Sequence, residues 1–431
     1  MPSVALTTLG CKVNQFETET MAGLFQARGY EVVPFTEVAD FYVINTCSVT
    51  AEGERKSRQL IRRAHKENPQ SIVAVVGCYA QIAPQEIQNL AGVHVVIGTK
   101  GRAQIVDLME RAAQKHAILN AVTNSRVQQP FEDIPILTVP GRTRAFLKIE
   151  EGCSNFCSYC IIPYARGPVR SRNLESVQRE AAKLDAMGFQ EIVLTGIHLG
   201  LYGSDFAMKA CLADAVRATL QAAPHVHRVR LSSLESVEFS AGLMQLLQTE
   251  PRFAKHLHLP LQSGSDKILT AMNRHYTTAD FARLVQMARE AAPQIAISTD
   301  IIVGFPGETE ADFNASLAFA EHMQFSRMHV FPYSKRVGTM AAEMQGQVDE
   351  SEKKARVARM RALADRMADD FRERFIGQEA EVLFETAKDG LSNGHTETYL
   401  RVYTDVPIPS GTLCKMHFVK LYRDGLWGMP V

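Results

Sequence analysis

The chain has 431 residues, 46% hydrophobic and 22% charged, with Lys+Arg and Asp+Glu balanced at 47 each. This is the composition of a folded globular protein, so disordered, collagen-like and fibrous classes are excluded, and the length accommodates about three domains. The neutral balance leaves any nucleic-acid contact to local basic patches.

No stretch approaches the ~18 consecutive apolar residues of a membrane span. Met1 to Gly10 has no basic head and no cleavage site, so no signal peptide is expected and a cytoplasmic location is. Eight Cys in such a chain speak for metal binding or catalysis, not for a disulfide framework.

Over residues 1–120, short apolar runs alternate with amphipathic segments. The runs are Val4 to Leu9, Phe41 to Ile44 and Ile72 to Val76, and the segments are Glu17 to Arg28 and Glu54 to Glu67. That alternation predicts βαβ units on a parallel sheet. Each run ends at a cysteine: Gly10-Cys11, Asn45-Thr46-Cys47 and Gly77-Cys78. Parallel strands deliver their ends to one edge, the edge where open α/β sheets bind ligands. Three convergent thiolates suit an iron–sulfur cluster with one open iron; the alternative is three cysteines packed as small apolar residues.

A linker over 121–140 follows, punctuated by Pro130, Pro135 and Pro140, and then a strand from Arg144 to Glu150. It leads into Cys153-Ser-Asn-Phe-Cys157-Ser-Tyr-Cys160. This C-x3-C-x2-C loop brings three thiolates within reach of one cubane. A structural zinc site is the alternative, but it wants a fourth ligand, and no further Cys or His follows nearby.

The C-x3-C-x2-C loop after a first strand resembles that of radical S-adenosylmethionine (SAM) enzymes. There a [4Fe–4S] cluster chelates SAM at its open iron and cleaves it to a 5′-deoxyadenosyl radical. Five more strands are predicted downstream: Glu191 to Gly196, Val226 to Ser232, His256 to Leu261, Ile295 to Val303 and Arg327 to Phe331. Six β/α units make an incomplete TIM-like barrel over 141–375, with its site at the carboxyl ends of the strands. The resemblance implies SAM contacts from Thr195, Gly196, Ser233, Glu235, Gln262, Asp300 and Gly304. The chain departs from the superfamily's usual strand-two Gly-Gly-Glu, having Thr195-Gly196-Ile197, and carries Asp300 where strand five often begins with Gly.

Arg166, Arg170 and Arg172 follow the cluster loop within a segment, 142–172, holding six basic and two acidic residues. They are the expected nucleic-acid contacts. Residues 51–70 and 351–375 are also basic, and a solvated helix face is the plain alternative there. From 376 to 431 short strands are expected at Glu379 to Glu385, Thr396 to Thr404 and Leu413 to Arg423. Asp389-Gly390, Asn393-Gly394 and Asp424-Gly425 serve as hairpin turns. This small antiparallel barrel resembles the TRAM domain, an OB-like RNA-binding module. Its seven acidic and five basic residues would leave RNA contact to Tyr399, Tyr403 and Tyr422, unless those rings are core. Cys211 and Cys414 are expected to pack. His256 and His258 lie on one strand, of which at most one is expected to face the barrel interior.

Three N-terminal cysteines, a radical SAM barrel and a TRAM-like tail together resemble the methylthiotransferases over essentially the whole chain. The segment Leu9-Gly10-Cys11-Lys12-Val13-Asn14-Gln15 is most similar to the branch acting on threonylcarbamoyl-adenosine in tRNA. The isopentenyl-adenosine branch more often shows Gly-Cys-Gln-Met-Asn, and the ribosomal-protein branch Gly-Cys-Pro-Lys-Asn. The resemblance implies two [4Fe–4S] clusters, on Cys153, Cys157 and Cys160 and on Cys11, Cys47 and Cys78. It also implies SAM as both radical source and methyl donor, a reducing electron donor, a tRNA partner and a monomer. Methylthiolation of isopentenyl-adenosine in tRNA or of a ribosomal-protein aspartate, and a non-catalytic iron–sulfur RNA-binding or redox protein, are the competing readings.

Overall fold

This computed structural model describes residues 1–137, 143–235, 238–385, 387 and 389–431, and element counts refer to them. Pro140 and Arg142 of the linker and basic segment lie outside the described residues.

The N-terminal strands are β1 (Ser3–Thr8), β2 (Glu31–Val33), β3 (Phe41–Thr46), β4 (Ile72–Gly77), β5 (Val93–Val96) and β6 (Leu119–Asn120). All pair in parallel, in the order β2-β1-β3-β4-β5-β6. Helices cover both faces, which is why β3 is buried along its whole length and shows no alternation. Met21 and Phe25 of helix Lys12–Ala27 pack on one face with helix Ile105–Lys115. Ile61 and Ala64 of helix Ala51–Glu67 pack on the other. The three runs read from sequence, β1, β3 and β4, are direct neighbours, so Cys11, Cys47 and Cys78 leave adjacent strands.

The middle of the chain supplies β7 (Arg144–Lys148), β8 (Glu150–Glu151), β9 (Arg170–Ser171), β10 (Glu191–Thr195), β11 (Arg228–Leu231), β12 (His256–His258), β13 (Ala296–Val303) and β14 (Arg327–Pro332). Parallel sheets β11-β10-β7 and β12-β13-β14 are joined by bridges Val229–Phe253 and Ser233–His258. The result is an incomplete parallel barrel, open between β7 and β14. The N-terminal unit touches both edges of that opening: Lys148 on β7 pairs with Glu17 at 3.1 Å, and Arg336, just past β14, pairs with Glu54. The linker also packs closely. Ile134 and Ile136 are buried, and the Ile136 amide donates to Glu180 at 2.9 Å.

The tail forms a closed barrel, β15-β16-β17-β19-β18, from β15 (Glu379–Phe384), β16 (Ser392–His395), β17 (Arg401–Thr404), β18 (Leu413–Tyr422) and β19 (Gly425–Pro430). Two details differ from the expectation. The β17–β19 pair is parallel, and Asn393-Gly394 lies inside β16 instead of at a turn. Gly394 is there because a side chain would collide with β15: a Cβ would sit 2.2 Å from the Leu383 carbonyl oxygen. No helix among the described residues is long and apolar enough to cross a membrane.

Candidate active site: two cysteine triads and a cavity

The Cys153–Cys160 loop leaves the β8 end of the barrel. Gly152, at φ +95°, lets the chain turn against the opposite strand, since a Cβ there would fall 2.1 Å from the Pro168 carbonyl oxygen. The Cys153 amide donates to the Gly167 carbonyl at 3.0 Å, and Ser158 to that of Met272 at 3.0 Å. Asn273 donates to the carbonyls of Asn155 and Phe156 at 3.2 and 3.1 Å. The loop is therefore held by its backbone, leaving the thiols free of structural duty. Arg274 donates to Cys157 Sγ at 3.4 Å and is itself paired with Glu235. His198 Nδ1 lies 3.4 Å from Cys153 Sγ, with its Nε2 2.7 Å from Glu238.

The second triad is built by glycines as much as by cysteines. Gly10 and Gly77 adopt φ +107° and +94° immediately before Cys11 and Cys78. A Cβ on Gly10 would fall 3.0 Å from Cys47 Cβ, so the close approach of the β1 and β3 ends requires the glycine. Arg166 Nε donates to Cys78 Sγ at 3.3 Å. Burial pushes the Cys47 thiol up, and the Cys78 and Cys160 thiols up to about 12. No three His, Cys, Asp or Glu side chains among the described residues converge on a single-ion site. A cubane spreads its irons apart, so the thiolates holding it do not have to meet at one point. Three thiols at each place, on one loop or at three adjacent strand ends, with cationic neighbours and a glycine-shaped backbone, suit that group.

Between the triads runs a buried ion network. Arg166 NH1 lies 2.6 Å from Glu17 and 2.9 Å from Glu151, and its NH2 donates to Asn14 at 2.6 Å. Arg102 and Lys148 bind the same two carboxylates. Burial alone would raise Glu17, but Arg102, Arg166 and Lys148 outweigh it and hold the carboxyl at about 2. The nucleic-acid role expected of Arg166, Arg170 and Arg172 is corrected here. Their exposures are 0%, 2% and 1%, and Glu17, Glu151 and Asp133 occupy their guanidinium groups. Desolvated and paired charges of this kind are not available to phosphates.

Where the parallel barrel meets the tail barrel lies a cavity of about 830 Å³, lined among others by Lys12, the neighbour of Cys11, and by Ser233, His258, Asp300, Arg327 and Tyr399. Of the expected SAM contacts, Ser233 and Asp300 face it, and Glu235 reaches the cluster loop through Arg274. Thr195 and Gly196 sit beside Glu150, whose Oε2 a Cβ on Gly196 would approach to 2.6 Å. Gln262 (φ +67°) and Gly304 (φ +74°) hold turns: the Gln262 amide donates to the Asp300 carbonyl at 2.8 Å, and the Gly304 amide to Glu308 at 3.0 Å. Both His256 and His258 line the cavity and flank Ser298 Oγ at 3.1 and 2.9 Å. The expectation of at most one is corrected, because residues two apart on a strand share a face.

Sequence reasoning missed Arg274 and His198, which no local motif marks, and Tyr399 as a cavity wall. Tyr399, at φ +65°, stacks on His395 at 4.9 Å and lies under the guanidinium groups of Arg144 and Arg230 at 5.1 and 4.8 Å. Tyr403 and Tyr422 pack edge to face at 5.4 Å. Cys211 is exposed, at the start of helix Leu212–Ala222, so the packing expected of it is corrected.

A C-x3-C-x2-C loop at the end of the first strand of an incomplete parallel barrel defines a radical SAM protein. Residues 147–320 match the radical SAM superfamily, and residues 3–98 match the uncharacterized protein family UPF0004. The chain is 42% identical to the threonylcarbamoyladenosine tRNA methylthiotransferase MtaB of Bacillus subtilis, over 93% of this chain and 90% of that one. It is 39% identical to the MtaB of Thermotoga maritima, over 93% and 91%. Identity to the tRNA-2-methylthio-N(6)-dimethylallyladenosine synthase of Carboxydothermus hydrogenoformans is 34%, over 89% and 88%. The chain belongs to the radical SAM methylthiotransferase family. In fold it is similar to the radical SAM methyltransferase TsrM from Kitasatospora setae, with TM-score 0.59 at 15% identity over 91% of this chain and 77% of that one.

Proposed function

We propose that the protein is a tRNA methylthiotransferase that adds a methylthio group to C2 of N6-threonylcarbamoyladenosine next to the anticodon. In this reading Cys153, Cys157 and Cys160 hold one [4Fe–4S] cluster, and Cys11, Cys47 and Cys78 hold a second. When bound, these groups supply reductive cleavage of SAM at the first triad and a sulfur source at the second, a further SAM giving the methyl group.

The remaining work belongs to the chain's own residues. Arg274 and His198 lie against the thiols of the first loop and orient it. The Arg166 network fixes the distance between the two triads by tying helix Lys12–Ala27 to the segment after Cys160. The cavity, of a size usual for small-molecule sites, takes the modified base between Ser233, Asp300 and Lys12, and Tyr399 of the tail barrel forms a wall. Ser233 and Asp300, both in the cavity wall, would hydrogen-bond SAM or the base.

The observation that carries this reading is the contact from Arg166 to Cys78, which ties the segment after Cys160 to a thiol of the second triad across the domain boundary. Nucleoside mass spectrometry of bulk tRNA from cells with and without the gene tests it. Loss of the methylthio form of threonylcarbamoyladenosine, with the unmethylthiolated nucleoside accumulating, is expected. Loss of the methylthio form of isopentenyl-adenosine instead, or unchanged nucleosides, would move the substrate elsewhere.

A further inference from the structure

Lys12 is a basic residue in the wall of the large cavity with no ion-pair partner among the described residues; the groups that act on it electrostatically are Tyr399, Arg144, Arg230 and Glu191. It follows Cys11 directly and opens helix Lys12–Ala27, and its side chain lines the cavity together with residues of the catalytic barrel and the tail. Among the described residues its ammonium makes no hydrogen bond and no ion pair. Three acids around it are already engaged: Asp300 with His258 at 3.3 Å, Asp424 with Arg401 at 2.9 Å, and Glu191 with Arg230 at 2.8 Å. Arg327 in the same wall also lacks an ion-pair partner among the described residues, and so does Asp365 of helix Glu350–Glu373. A partly enclosed, unpaired ammonium is costly unless something supplies the counter-charge. Here the cavity leaves room for an anion to do so.

We infer that Lys12 binds a carboxylate of the substrate and so selects which modified adenosine is accepted. The inference rests on the substrate reading above and deepens it. In N6-threonylcarbamoyladenosine the N6 substituent ends in a carboxylate, and this substituent and C2 flank N1 on the same edge of the ring. With C2 facing the second triad, the substituent would then be met by the cation that follows Cys11 in the cavity wall. An isopentenyl group is uncharged and gives the ammonium nothing to pair with. A site built around a charged partner rejects the analogue lacking it because its own charge is left unpaired.

The test is equilibrium binding of three anticodon stem-loops to the full-length reconstituted protein: one carrying N6-threonylcarbamoyladenosine, one its methyl ester and one isopentenyl-adenosine. The wild type is expected to prefer the acid to the ester by about tenfold or more. Lys12→Gln should bind acid and ester alike, at the level of the wild type with the ester, and Lys12→Arg should keep most of the preference. Thermal unfolding of each variant confirms that it is folded. Persistence of the preference in Lys12→Gln would overturn the inference, as it would if Lys12 met only backbone phosphates, because acid and ester would then weaken together. A wild type blind to the ester would also overturn it, while the substrate reading would still be decided separately by the tRNA nucleosides.

Discussion

The guanidinium of Arg166 donates from Nε to Cys78 Sγ at 3.3 Å, so a residue just past the radical SAM loop supports a thiol at the end of β4. The same side chain grips Glu17 and Glu151, one carboxylate from each side of the boundary. Arg166 thereby ties the segment that follows the first triad to the second.

Replacing it should unsettle the boundary. Arg166→Met leaves two buried carboxylates with one cation fewer, a loss costing about 3–5 kcal/mol. Arg166→Lys should recover only part, since a single ammonium cannot reproduce the planar fork that meets Glu17, Asn14 and Cys78 together. Chemical unfolding of the three proteins checks this. Equal stability would show that the network is not what holds the units together.

A second boundary responds to acid. Burial would raise Glu191, but Arg230, Arg144 and Arg228 outweigh it and hold its carboxyl at about 2. Arg228 and Arg230 also donate to tail carbonyls, of His395 at 3.2 Å and Glu397 at 2.9 Å. A carboxyl depressed on folding contributes stability above its unfolded value, near 4.5, and that contribution is lost as pH falls toward 2. The thermal midpoint should therefore drop across that window. Glu191→Gln should be less stable at neutral pH and should show a shallower acid dependence; an unchanged slope would contradict the assignment.

Tyr399 fastens the tail barrel to the catalytic barrel. Tyr399→Ala removes its ring from between His395 and His256 and from under two guanidinium groups. Each cation–π contact of this kind contributes about 0.5–2 kcal/mol. Limited proteolysis should release the segment after Phe375 faster in the variant than in the wild type. Equal rates would mean that the ring is not a fastening.

Much of this was legible in the chain because it is local. Buried β runs ending at Cys11, Cys47 and Cys78 and the strand before Cys153 announce themselves by pattern and spacing. What was not legible depends on distant partners. Arg166 reads as a surface base until Glu17, 149 positions away, is seen to meet it. Arg274 carries no motif, and only folding brings it to Cys157. Asn393-Gly394 imitates a hairpin turn, whereas the glycine serves the close passage of β15.

The separation of roles between the triads is the central claim, and it is tested most directly by Cys11→Ala beside Cys157→Ala in one anaerobic assay that counts 5′-deoxyadenosine and methylthiolated nucleoside. Cys11→Ala should still cleave SAM at close to the wild-type level while forming no methylthio product, and Cys157→Ala should form neither. Methylthio product from Cys11→Ala, or 5′-deoxyadenosine from Cys157→Ala, would contradict the account.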